Sequence, residues 1–213
     1  MHGVTSRIGG LVAVLLLAVV GACAPGTVSF ACTPYAEGEE LAARPSPFDS
    51  VHVAVGEANA KVCYSRPSAR ERVVFGGLVP WDMLWRTGAN EPTLLYLDAP
   101  AQIAGIAVEP GRYSIYTVPS QSEWQVVVNA STAQWGQTRD VTLPDGNVSR
   151  NAYTSDVEAE EVGRAPIQTT AVDYVEMFTT SFGTPAAGSV DLHFEWEETR
   201  IIVPITFGGA DAP

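Results

Sequence analysis

Histidine is scarce in this chain. The 213 residues hold three, His2, His52 and His193, and none stands in a ligand spacing. No HExxH, CxxC or calcium-loop pattern occurs, so a metal centre has no sequence signature. His52 and His193 fall in alternating segments, which suits half-buried structural residues. GxSxG and SxxK are also missing, and Gly76-Gly77 lacks the context of a phosphate loop. No cofactor is expected. A Ser–His–acid triad or a carboxylate pair stays open, because such groups meet in space and not in sequence. Positive charge is scarce too. Twelve Lys and Arg face 24 Asp and Glu, a formal net charge of −12. That balance argues against nucleic acid and anionic lipid headgroups as partners. Long apolar runs are few. Ile8 to Ala22 spans 15 residues, short of the ~17–25 that a membrane-spanning helix needs.

The flanks of that run are informative. Arg7 precedes it, and Val20-Gly21-Ala22 lead into Cys23. This order resembles a bacterial lipoprotein signal, in which small side chains flank the cut and the cysteine thiol accepts diacylglycerol. The alternative is an ordinary secretory signal with an incidental cysteine. On the lipoprotein reading, residues 1–22 are removed and Cys23 anchors the chain in the cell envelope through its lipid, with the membrane as partner. Ala24, and not Asp, follows Cys23, which favours the outer membrane. Residues 23–47 carry Pro25, Pro34, Pro45 and Pro47 with Gly26, Gly38 and three glutamates. They are expected to form a flexible tether. Residues 48–208 then form one domain, and 209–213 a C-terminal tail. Cys32 and Cys63 are a candidate disulfide in that compartment, worth roughly 3–4 kcal/mol by loop closure. Two free thiols are the alternative.

Period two dominates the domain. Val51, Val53 and Val55 alternate, as do Ala60, Val62 and Tyr64. Seven further segments continue the pattern, at 93–98, 101–108, 112–118, 123–129, 172–182, 189–197 and 199–207. They are rich in Val, Ile, Thr, Tyr and Phe and are separated by turn residues. Glu197-Glu198 is expected near a hairpin. Helical periodicity is weak, with Pro80–Trp85 and Ser131–Trp135 the best short candidates. No strand–helix–strand rhythm and no internal repeat occurs. The expected fold is all-β: an antiparallel β-sandwich of about nine strands with one or two short helices.

Specific strings sit on this pattern. They are Tyr64 to Pro67, Arg72, Phe75 to Pro80, Trp85 to Glu91, Pro110 to Ser114 and Trp124 to Val126. Together they resemble the bacterial domain-of-unknown-function family 2911. Glu109-Pro110-Gly111 departs from the family's Pro-Ala-Gly hairpin, and Cys63 is not part of its pattern. The resemblance implies an exported β-rich domain and carries no established activity.

One cluster invites chemistry. Lys61, Arg66, Arg70, Arg72 and Arg86 fall within 26 residues, in an otherwise acidic protein. Arginines grouped near an asparagine suit a carboxylate or phosphate, which they bind by forked hydrogen bonds. Arg66, Arg72, Trp85, Arg86 and Asn90 are the candidate ligand-binding residues. Thr87-Gly88-Ala89 would bring backbone N–H groups close, and Trp81 and Trp85 would wall a flat ligand such as a sugar. The structural alternative makes Trp85 a plug, pairs Arg86 and Arg66 with Glu91 and Glu71, and spends Asn90 on a turn. Two functions fit the cluster. The first is a lipid-anchored, non-catalytic binding or interaction module. The second is a hydrolase-like enzyme acting on a small anionic or glycan substrate. A pocket holding these residues with an unpaired carboxylate or histidine would favour the enzyme.

Overall fold

A computed structural model describes residues 29–134 and 153–208, with the backbone pairs 141–142 and 148–149 between them. The first 28 residues, Cys23 included, and the tail from 209 lie outside the described residues. In chain order the elements are α1 (Gly38–Ala42), β1 (Phe48–Val55), β2 (Ala58–Ser65), β3 (Thr93–Leu97), β4 (Ala101–Ile103), β5 (Ile106–Val108), β6 (Gly111–Val118), β7 (Trp124–Asn129), β8 (Val141–Thr142), β9 (Val148–Ser149), α2 (Ser155–Ala159), β10 (Glu161–Phe182) and β11 (Ser189–Phe207).

Alternation builds the strands. In β1, Val51 and Val53 turn inward beside buried Val55, while Ser50, His52 and Ala54 face water. Nine strands then pair antiparallel in the order β1-β2-β3-β6-β7-β10-β11-β4-β5. β10 serves two layers. Glu161–Ile167 pair with β7, and Gln168–Phe182 pair with β11 through two register shifts. A long strand that bends in this way passes from one layer of a sandwich to the other. Tyr64, Leu95, Ile115 and Val126 from one layer meet Phe178, Phe194, Trp196 and Val203 from the other, all at most 1% exposed. The fold is an all-β, antiparallel sandwich.

Two expected boundaries change. Residues 101–108 are not one strand but a hairpin, turning at Ala104 (φ +48) and Gly105 (φ +84). Two consecutive positive φ values define the tight hairpin turn whose twist suits its flanking strands. Conversely, 189–197 and 199–207 are one strand, β11. Glu197 takes φ +50 at a bulge, and the buried positions change parity there, from Val190, Leu192, Phe194 and Trp196 to Ile201, Val203 and Ile205. The pairing is irregular on both sides of Val175↔Glu197, with β10 advancing four residues for two of β11 each time, and the left-handed backbone at Glu197 changes the inward face without ending the strand.

The expected helices also move. Residues 80–85 form turns in which Asp82 has φ +58 and its N–H reaches the Pro119 carbonyl at 2.7 Å. Residues 131–134 are not helical, and Trp135 lies outside the described residues. The two short helices are α1 and α2. Among the described residues no helix is long and apolar enough to cross a membrane.

Residues 29–47 are not separate from the domain, as a tether would be. They form a strap across it. Cys32 is bonded to Cys63 of β2. Lys61 Nζ donates to the Phe30 carbonyl at 3.0 Å, and the Tyr35 hydroxyl donates to the Thr132 carbonyl. Proline-rich composition predicts little self-packing, but it does not prevent docking onto partners far along the chain.

Candidate functional site

Residues 66–92 join β2 to β3 and contain no strand longer than a single bridge. A connection of this length inside a compact domain is commonly functional. Its anchor is Trp85. The backbone of Trp85 exchanges two hydrogen bonds with Thr117 of β6, at 2.8 and 2.9 Å. Its ring stacks on Trp196 with centroids 5.8 Å apart and meets Phe178 edge-on at 5.4 Å. The indole N–H donates to the Gly88 carbonyl at 3.1 Å. Trp85 therefore closes one end of the sandwich core.

The backbone around it is unusual. Arg70, Glu71, Asp82, Thr87 and Asn90 all have positive φ, five of the eight such non-glycine residues described. Thr87 is β-branched at φ +52, a conformation that only surrounding contacts can maintain. Its hydroxyl contacts that of Thr117 at 3.1 Å, and its carbonyl accepts from Thr93 Oγ1 at 2.5 Å. Gly88 follows at φ +155, where a Cβ would lie 2.9 Å from Thr93 Oγ1.

Beside Trp85 is an open cleft of about 240 Å³. Arg70, Arg72 and Arg86 line it, with Trp85, Trp196, Leu78 and Val79 on the apolar side. Pro45 and Ser46 of the strap form another wall, and Pro67, Ser68, Gly88 and Ala89 complete it. The lining includes three arginine residues and no acidic residue, histidine or cysteine. Arg70 and Arg72 are exposed. Burial draws the Arg86 guanidinium down to about 10, with the Tyr116 hydroxyl and the Glu91 carboxylate pulling the other way. It stays cationic at neutral pH. Just outside, the Arg70 backbone N–H and the Tyr174 hydroxyl hold the Glu176 carboxyl below its usual range, helped by the Arg70 and Arg72 charges.

The candidate residues divide. Arg72, Trp85 and Arg86 meet at the cleft; Arg66 and Asn90 do not. Arg66 clamps β10 to β1, donating from Nε to the Phe178 carbonyl at 3.2 Å and from Nη2 to Thr179 Oγ1 at 2.9 Å, and pairing with Asp49 at 3.2 Å. Asn90 holds the strap, its Nδ2 donating to the Ser46 carbonyl at 3.3 Å. Glu91 takes Arg44 of the strap, at 2.7 and 2.9 Å to its two oxygens, in a pair with side chains 9% and 5% exposed. Arg66 is thus not paired with Glu71, and the Glu91 ion pair comes from the strap. Sequence reasoning left out Arg70, Trp196 and the strap wall. Arg70 stood in the charge cluster; Trp196 and Pro45 carried no signal, since each reaches the cleft only through tertiary packing.

The family model described as a protein of unknown function, DUF2911, matches residues 46–205. The chain belongs to the DUF2911 family. No curated protein and no solved structure matches it. The DUF2911 match takes in β1 to β11 almost entirely, together with the 66–92 connection and Ser46 of the cleft wall. Among the described residues no group of three or more His, Cys, Asp or Glu is placed to hold a metal ion. Asn129 at the end of β7 is fully buried and gives its amide to the Val157 carbonyl at 2.7 Å and the Tyr153 hydroxyl at 3.0 Å.

Proposed function

We propose that this domain is a binding module for a small anion, held in the bacterial cell envelope through lipid on Cys23. One observation carries the binding half: three arginine residues line one cleft, and no acidic residue is among its lining. In a molecule of net charge −12, such a local excess of positive charge is held in place by the fold and not by composition. Arginine forks are matched to carboxylate and phosphate oxygens. Binding is favoured over turnover because the lining supplies no base for a nucleophile: Ser46 and Ser68 are part of it, and no histidine or acidic residue is. The hydrolase reading would need such a base, and a glycan ligand would need an open aromatic face. Trp81 is not part of the lining, and Trp196 is 1% exposed. That leaves little flat aromatic face for a sugar.

Calorimetry tests this reading with acetate and inorganic phosphate. The wild type is expected to bind at least one saturably at low salt, and Arg70→Gln to bind it at least tenfold more weakly. Arg70 is exposed, so this change spares the fold. Absence of binding by either anion would remove the proposal. For the anchor, Cys23→Ser is expected to move the protein from the membrane to the soluble fraction of fractionated cells. A variant that still sediments with membranes would rule out lipid on Cys23.

A further inference from the structure

The cleft has a neighbour that anion binding alone does not require. Leu78 lines it and is 39% exposed, and Val73 beside it is 68% exposed. The two belong to one rigid loop. The Leu78 N–H donates to the Val73 carbonyl at 3.0 Å, and the Val79 N–H to the Val74 carbonyl at 2.8 Å. Val74 donates its own N–H to Glu197 Oε1 at 3.0 Å. Gly76, at φ +87, lies so close to Trp81 that a Cβ would fall 2.2 Å from the indole nitrogen. Val74 and Val79 are buried at 0% and 4%, so the loop has anchored itself with two valines and still presents two branched apolar side chains to water. Single exposed apolar residues are ordinary. Here two adjoin a cleft lined by three arginine residues.

The donors narrow the head group. Arg72 spends Nε on the Ala69 carbonyl at 2.9 Å and Nη2 on the Ser68 carbonyl at 2.8 Å. Its Nε/Nη2 edge is therefore engaged, and what it offers a ligand is charge and the N–H groups at its Nη1 end. Arg70 Nη2 lies 3.4 Å from the Pro45 carbonyl. Such an arrangement suits a compact monoanion better than a phosphate dianion, whose several oxygens each need donors. A cleft of about 240 Å³ is also smaller than the ~300–1,000 Å³ of sites for drug-sized ligands. It holds a head group and leaves a longer ligand to extend over the rim.

We propose that the ligand is an amphipathic monoanion, an alkyl carboxylate whose head lies among Arg70, Arg72 and Arg86 and whose tail runs over Leu78 toward Val73. This rests on the anion-binding reading and adds the apolar half of the ligand. Charge complementarity selects the head, and the paired apolar side chains select the tail.

The test is a calorimetric series on the full-length protein with acetate, butanoate, hexanoate, hexanol and inorganic phosphate. Affinity is expected to rise roughly fourfold for each methylene laid on the rim, so by about tenfold or more from acetate to hexanoate. Hexanol binds no better than background, and Leu78→Ser flattens the chain-length dependence. Acetate and hexanoate binding equally, both weakened by Arg70→Gln, would overturn the amphiphile and leave the anion site standing. Phosphate binding more tightly than hexanoate would overturn the carboxylate assignment. Hexanoate binding that ignores Arg70→Gln would show apolar adhesion only and overturn the proposal. No binding by any of the anions would overturn both readings.

Discussion

Gly88 shows how little freedom the candidate site has. Its φ of +155 and the 2.9 Å and 3.2 Å approaches that a Cβ would make to Thr93 Oγ1 and the Ser65 carbonyl leave room for hydrogen alone. Gly88→Ala is expected to destabilise by about 1–3 kcal/mol, measured by urea unfolding. Glu71→Gly serves as its contrast. Glu71 is exposed at φ +60, and glycine accepts that conformation without strain, so stability should stay within about 0.5 kcal/mol or rise. Equal losses in the two variants would contradict the steric account. At this scale the sequence disclosed residue types better than roles. Trp85 as a core plug was legible, because a large aromatic between alternating strands has few other places to go. Arg66 and Asn90 were not. Their partners Phe178 and Ser46 stand 112 and 44 residues away, and no local pattern encodes a contact at that distance.

At the level of elements, the strap decides the shape of the cleft. Pro45 and Ser46 form a wall that stays in place because Arg44 is buried against Glu91, Asn90 holds the Ser46 carbonyl, and Cys32 is bonded to Cys63. Closing a separation of 31 residues with a disulfide stabilises by about 3–4 kcal/mol in the chain-entropy picture. The double variant Cys32→Ala/Cys63→Ala is expected to lose about that much in urea and to bind acetate more weakly, because one wall loosens. An unchanged urea midpoint would show that the other strap contacts suffice. Element type was largely readable from period two. The large sheet holds nine strands only because two departures cancel: the hairpin at Ala104-Gly105 divides one expected strand, and the irregular pairing at Glu197 joins two others. Ala-Gly lacks the Asn or Asp that usually marks such a turn, and adjacent glutamates resemble a turn more than a bulge. Of the strap only the candidate Cys32–Cys63 bridge was readable, since proline-rich, acidic composition describes a segment without its partners.

For the whole molecule, the arrangement sets a positive cleft into an acidic protein. The net charge of −12 favours solubility and repels anions at long range, so what binds must be held by short contacts inside the cleft. Lipid on Cys23 would place that cleft near a bilayer, since the strap forming its wall leads back toward the N-terminus. The β-sandwich was visible from alternation and from family resemblance. The cleft was visible only as a concentration of arginines, three of which the fold brings together while a fourth, Arg66, is turned to other work.

That division provides the most direct measurement: acetate titrated calorimetrically into wild type, Arg70→Gln and Arg66→Gln at low ionic strength. The cleft account predicts an affinity lowered at least tenfold by Arg70→Gln and within twofold of wild type in folded Arg66→Gln, which removes equal charge outside the lining. Equal weakening by both changes would mean that the anion responds to overall charge, and would contradict a defined site among Arg70, Arg72 and Arg86.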